Sequence, residues 1–154
     1  MRTFFVLMSM LVSLSAFAEK NDLASSDWEI CKVSCKVLSS DPSKQHYLDS
    51  CFSYLQRDTV REKEIFEYAF SDAEMTKKQN GKESVWHYKI SGNKLIVNLG
   101  DGKVYILDFE LKSDSLMLEL DKNRFMQSEY APKNKEVQSL VKSLSLQYYF
   151  NRKQ

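Results

Sequence analysis

The chain has 154 residues, with 22 Lys and Arg against 21 Asp and Glu and a formal net charge of +1. That balance lacks the basic excess or stripe of a nucleic-acid binder. With 43% hydrophobic and 12% aromatic residues, and no low-complexity tract or internal repeat, the composition is that of an ordinary globular protein with enough chain for one proper core.

Residues 1–18 carry one positive charge, Arg2, ahead of the apolar run Phe4 to Leu14, and Ala16-Phe17-Ala18 then offers a small-x-small cleavage site. This is the pattern of a secretory signal peptide cut before Glu19, which places the mature chain in the periplasm or outside the cell. The apolar run is shorter than the roughly 20 residues of a spanning helix and no later stretch approaches that length, so no membrane span is expected. Glu19 also stands where a lipoprotein would need Cys.

Residues 19–60 read as a helical hairpin. Trp28, Cys31, Cys35 and Leu38 lie along one side of a helix over residues 23–38, and Ser39-Ser40 makes a short connection. Asp41-Pro42 then resembles an N-cap with proline at the first helical position. It opens a helix over residues 42–56 with Tyr47, Leu48, Cys51, Phe52 and Leu55 inward. Three cysteines in an exported chain predict one disulfide and one spare thiol. Cys31 and Cys35 are one helical turn apart, so Cys51 is the shared candidate partner, and a turn near Ser40 brings it closer to Cys31. A Cys31–Cys51 bridge closes a loop of roughly twenty residues and would stabilise by about 3 kcal/mol. Cys35, flanked by Lys32 and Lys36, is then read as an inert thiol on the apolar face, with a redox or mixed-disulfide role as the alternative.

Residues 61–131 alternate between apolar and polar positions and break at Asn80-Gly81, Gly92-Asn93 and Gly100-Asp101-Gly102, dipeptides suited to positive φ. The alternation places Trp86, Tyr88 and Ile90 on one face, together with Leu95, Val97 and Leu99, then Tyr105, Leu107, Phe109 and Leu111, then Leu116, Leu118 and Leu120. Upstream, Phe66, Tyr68 and Phe70 alternate in the same way, and residues 74–78 return through Ser71-Asp72. With residues 124–130 read as a last strand, about seven strands result. Residues 132–154 read as a C-terminal helix opened by Pro132, with Val137, Leu140, Val141, Leu144 and Tyr148 at helical spacing. The expected fold class is α+β, an antiparallel meander forming a curled sheet or partial barrel, packed by the N-terminal hairpin and the C-terminal helix.

No catalytic constellation is legible. His46 and His87 fall on different elements, the carboxylates are interspersed as surface charge, and neither a phosphate loop nor a nucleophile elbow is present. Cys-x-x-x-Cys without a second cluster does not make a zinc site. The chain is therefore read as a non-enzyme without metal or cofactor. Trp86, Tyr88, Tyr105 and Phe109, with Phe66 and Tyr68, are the candidate wall of an apolar pocket; a filled core is the preferred reading of the same face.

Residues 65–130 resemble the small lipocalin-like domains of secreted bacterial proteins. The likeness is carried by Trp86-His87-Tyr88-Lys89-Ile90, Ser91-Gly92-Asn93-Lys94-Leu95, Tyr105-Ile106-Leu107 and Asp114-Ser115-Leu116-Met117-Leu118. The Gly-x-Trp of that family's first strand is absent, and its closed barrel has eight strands against about seven expected for this chain. The resemblance implies a binding module for a small apolar ligand or lipid. The alternative is a protein-interaction partner in the cell envelope, such as an immunity protein or an inhibitor of a toxin or enzyme.

Overall fold

The computed structural model describes residues 22–154; the expected signal peptide and its cleavage site lie outside them. Eight antiparallel strands close into a barrel in chain order: β1 (Ser26–Ser39), β2 (Glu67–Phe70), β3 (Glu74–Gln79), β4 (Lys82–Ser91), β5 (Lys94–Gly100), β6 (Lys103–Leu111), β7 (Ser115–Asp121) and β8 (Val141–Arg152). Three short helices accompany them, α1 (Gln45–Phe52), α2 (Lys122–Met126) and α3 (Lys135–Leu140). The sheet closes because β1 pairs with β8 along most of its length and with β2 over Ser26–Glu29; the rest of that second edge is covered by the following connection, through a bridge from Val33 to Arg57 and the side chains of Gln45 and Gln56.

The central hairpins follow the sequence closely. Asn80 (φ 51°) with Gly81 (φ 72°) joins β3 to β4, and Asp101 (φ 50°) with Gly102 (φ 73°) joins β5 to β6, left-handed pairs that match the twist of a two-residue hairpin. Six of the seven expected strands form, with their apolar faces turned to the barrel interior.

The expected N-terminal helical hairpin is replaced by a strand and a single helix. Residues 26–39 pair with β8 along most of their length, and the ladder shifts register between Ile30 and Lys32. That bulge puts one extra residue between inward positions, so the buried set is Trp28, Ile30 and Val33 rather than a strict alternation. A step of three inside a step-of-two pattern imitates helical spacing. The second half of the expected hairpin does form: Asp41 accepts from the Ser43 amide at 3.0 Å, a 3-10 turn covers Pro42–Lys44, and α1 buries Leu48 and Phe52.

The C-terminal helix is likewise corrected to α3 followed by β8. Leu140, Leu144 and Tyr148 are four apart and fit either period, but Leu144, Leu146 and Phe150 are all buried in a strand. Residues 124–130 are not a strand either. Asp121 caps α2 by accepting from the Arg124 amide at 2.9 Å, and this turns Phe125 inward against Phe52, ring centroids 6.0 Å apart. Two rings of that size buried together contribute roughly 1.5–3 kcal/mol each, which fixes α1 and α2 over one end of the barrel. On the outer wall Asp108 accepts from Arg124 at 3.0 Å and also from Lys94, tying α2 to β5 and β6.

The barrel has a solid end and an open one. At the solid end Leu23, Trp28, Phe70, Tyr88, Leu95 and Leu116 are buried, Trp28 Nε1 donates to Ser26 Oγ at 2.7 Å, and the Tyr88 hydroxyl donates to the Ser71 carbonyl at 2.6 Å. The opposite end carries the two long connections, residues 40–66 and 122–140. Among the described residues no helix is long and apolar enough to cross a membrane.

Candidate binding cavity

A cavity of about 790 Å³ enters the barrel from the end bearing the long connections. This is within the usual size range of small-molecule sites, and an eight-stranded barrel has the bore to hold one such molecule. Its deeper wall is Ile30, Phe66, Trp86, Tyr105, Leu118 and Phe150; its rim is Tyr54, Leu55, Arg57, Glu64, Leu99, Lys103, Glu129 and Tyr130. The Tyr54 hydroxyl donates to the Tyr130 carbonyl at 2.9 Å and so joins the two long connections across the rim.

Aromatic rings shape the wall. Phe66 meets Tyr68 at 5.2 Å and Phe150 at 5.7 Å, both edge-on, and Tyr68 lies 5.3 Å from Phe150. Edge contacts of this kind add to ordinary burial and hold the rings in place.

Polar atoms on this wall are few and lack protein partners. Tyr68, Tyr105 and Tyr148 all line the cavity. Among the described residues their hydroxyls make no hydrogen bond to protein, and none is sealed away from the lumen. Burial, with neighbouring tyrosines adding to it, pushes Tyr105 up to about 12 and raises Tyr68 and Tyr148 as well. These groups are neutral donors over the whole physiological range.

Charge enters at three places. Arg57 Nη1 bonds both oxygens of Glu64 at 3.2 Å, a self-satisfied pair. Lys77, inward on β3, places its ammonium 4.4 Å from the centre of the Phe66 ring, and burial lowers its proton affinity while Glu129 opposes that. Lys103 and Glu129 lie at the rim.

The candidate pocket residues divide between the two ends. Trp86 and Tyr105 line the cavity, whereas Tyr88 and Phe109 are not among its lining residues, and Tyr88 is packed at the solid end against Phe70, rings 5.2 Å apart. Lys77, Tyr148, Phe150, Tyr54 and Tyr130 were not singled out as site residues. Tyr148 and Phe150 carried a legible signal, the alternation Leu144, Leu146, Tyr148, Phe150. For Lys77 the signal is the two-residue period shared with Met75.

The cysteines offer no chemistry at this site. No two lie at disulfide distance and all three are free, so the Cys31–Cys51 bridge has no basis in this fold, the hairpin that would have aligned them having become a strand. Cys31 Sγ instead donates to the Tyr149 carbonyl at 3.3 Å. Burial raises Cys35 to about 11, the opposite of an activated thiolate. His46 sits on α1 and His87 is exposed on β4, 4.0 Å from Glu74. Among the described residues no three His, Cys, Asp or Glu side chains gather to hold a metal.

Comparison with protein-family models, with curated proteins and with solved structures finds no match to this chain.

Proposed function

We propose that the protein is a non-enzymatic, exported binding module that carries one small, mainly apolar ligand inside its barrel. The observation that carries this reading is the cavity of about 790 Å³, walled by aromatic and aliphatic side chains, with three tyrosine hydroxyls left without protein partners. A packed core would satisfy or exclude such groups, since an unmatched buried hydroxyl costs about 1–3 kcal/mol. A lumen that receives a ligand leaves them for that ligand. The eight-stranded closed barrel is compatible with the lipocalin-like resemblance.

The alternative of an envelope protein that blocks a toxin or enzyme draws less support. That reading calls for a filled core with an exposed patch or edge strand, whereas this barrel holds a cavity and its sheet closes on itself.

Titration with the neutral fluorophore 1-aminoanthracene tests the reading. One saturable site is expected, lost in Leu118→Trp, which fills the lumen while leaving the strand pattern unchanged. A folded protein that takes up no probe, or takes it up equally after Leu118→Trp, would contradict it.

A further inference from the structure

Lys77 is an unusual residue to find inside an apolar barrel. In the β2–β3 ladder it stands directly opposite Tyr68, and in the β3–β4 ladder opposite Ser84. Residues facing each other across a ladder share one side of the sheet, about 5 Å apart at Cβ, so the ammonium and the Tyr68 phenol belong to the same patch of wall. Elsewhere on the lining, Tyr105 on β6 helps to raise the ionisation of Tyr148 on β8, and both act on Tyr68, whose shift is mainly due to burial. Lys77 and Tyr68 thus share one patch of the wall, and Tyr105 and Tyr148 line the same lumen.

Their charge is not balanced from within. Arg57 and Glu64 neutralise each other, leaving Lys77 and Lys103 against Glu129 alone on the lining. Among the described residues no carboxylate comes within 4.0 Å of the Lys77 ammonium, whose close neighbour is instead the face of Phe66. A cation held over an aromatic ring and partly removed from water is tolerable while solvent can reach it. Filling the cavity with a neutral apolar molecule would take that solvent away and leave the Lys77 charge offset only by Glu129, whose carboxylate lies beyond 4.0 Å. A ligand that brings its own negative charge resolves this, because a charge-assisted hydrogen bond is stronger than a neutral one and the tyrosine hydroxyls can donate to the remaining oxygens.

We infer that the ligand is an acidic amphiphile, whose acid group is bound by Lys77 with Tyr68 beside it and whose apolar part lies along Phe66, Trp86, Leu118 and Phe150. The inference rests on the binding-module reading and specifies the ligand class of that same cavity. A long-chain carboxylate and a lipid phosphate share the required chemistry, one oxyanion on an apolar body.

The test compares dodecanoic acid with 1-dodecanol, which match in chain length and differ in the acid, by calorimetry. The wild-type protein should bind the acid about tenfold more tightly than the alcohol, the size of one charge-assisted contact. Lys77→Met should abolish that preference while retaining the alcohol, and Lys77→Arg should restore it. Dodecyl phosphate then separates the two sources: a further gain over dodecanoic acid favours a phosphate, and no gain a carboxylate. Equal binding of acid and alcohol by the wild type, or a preference that survives Lys77→Met, overturns the acid assignment and leaves the cavity reading standing. If no probe binds, both fall.

Discussion

The guanidinium of Arg152, near the end of β8, lies 5.7 Å from the ring of Trp28 in β1. The first and last strands of the barrel are therefore joined at its solid end by a cation–π contact as well as by their ladder. Trp28 is fully buried there and its indole N–H is bound by Ser26.

Truncating this plug should unseat the barrel's closed end. Trp28→Ala is expected to cost about 3–5 kcal/mol, in the range of buried aromatic truncations, whereas Arg152→Ala should cost only about 0.5–1 kcal/mol. Urea unfolding curves of the two variants measure both. Equal costs would show that the guanidinium does more than cover the ring.

Tyr105→Leu separates wall from core. The side chain lines the cavity and its hydroxyl has no protein partner, so the substitution removes no internal hydrogen bond. A stability change within about 1 kcal/mol is expected, with weakened uptake of dodecanoic acid. A larger loss of stability with unchanged uptake would return Tyr105 to the core.

The difference between what the sequence revealed and what it hid has a physical origin. The hairpins from β3 to β6 were legible because their strands keep a two-residue period over most of their length and each turn has a glycine at positive φ, Gly81, Gly92 or Gly102, while β7 was legible from its alternation alone. β1 was not, because the bulge between Ile30 and Lys32 breaks the period. β8 was not, because Leu140, Leu144 and Tyr148 satisfy both periods and Pro132 favoured the helix. With its first and last strands read as helices, the sheet lacks the two strands that pair to close it, and the cavity that depends on closure stays hidden. The inward position of Trp86 and Tyr105 is legible from strand parity alone. Lys77 shares that parity, but a charged residue on an inward face becomes informative only once the face encloses a lumen.

Alkaline pH should weaken the fold through the lumen tyrosines. Their native ionisation is raised, to about 12 for Tyr105, while in the unfolded chain they ionise near the ordinary value of 10.0. Above that value the native state holds more protons than the unfolded one, so stability is full below about 10 and falls as pH rises through the native values. Lys77 acts in the opposite sense over the window just below the ordinary lysine value, as one group against three. Phenolate absorbance recorded with equilibrium unfolding should show these tyrosines ionising late, together with loss of structure. Full ionisation near pH 10 in the folded state would contradict this placement.

The three cysteines are expected to remain free. Protein unfolded without reductant and treated with iodoacetamide should gain three alkyl groups, as the free thiols of the fold require. A gain of one, with Cys31 linked to Cys51 in the peptide map, would reinstate the bridge.

The proposed binding function is tested by native mass spectrometry of the protein isolated from the cells that produce it, which reports a small ligand and a protein partner in one spectrum. One amphiphile of small-molecule mass per chain is expected, released on unfolding and detected as an anion. A bare chain, or a chain found only in complex with a second protein and with an empty lumen, would contradict it.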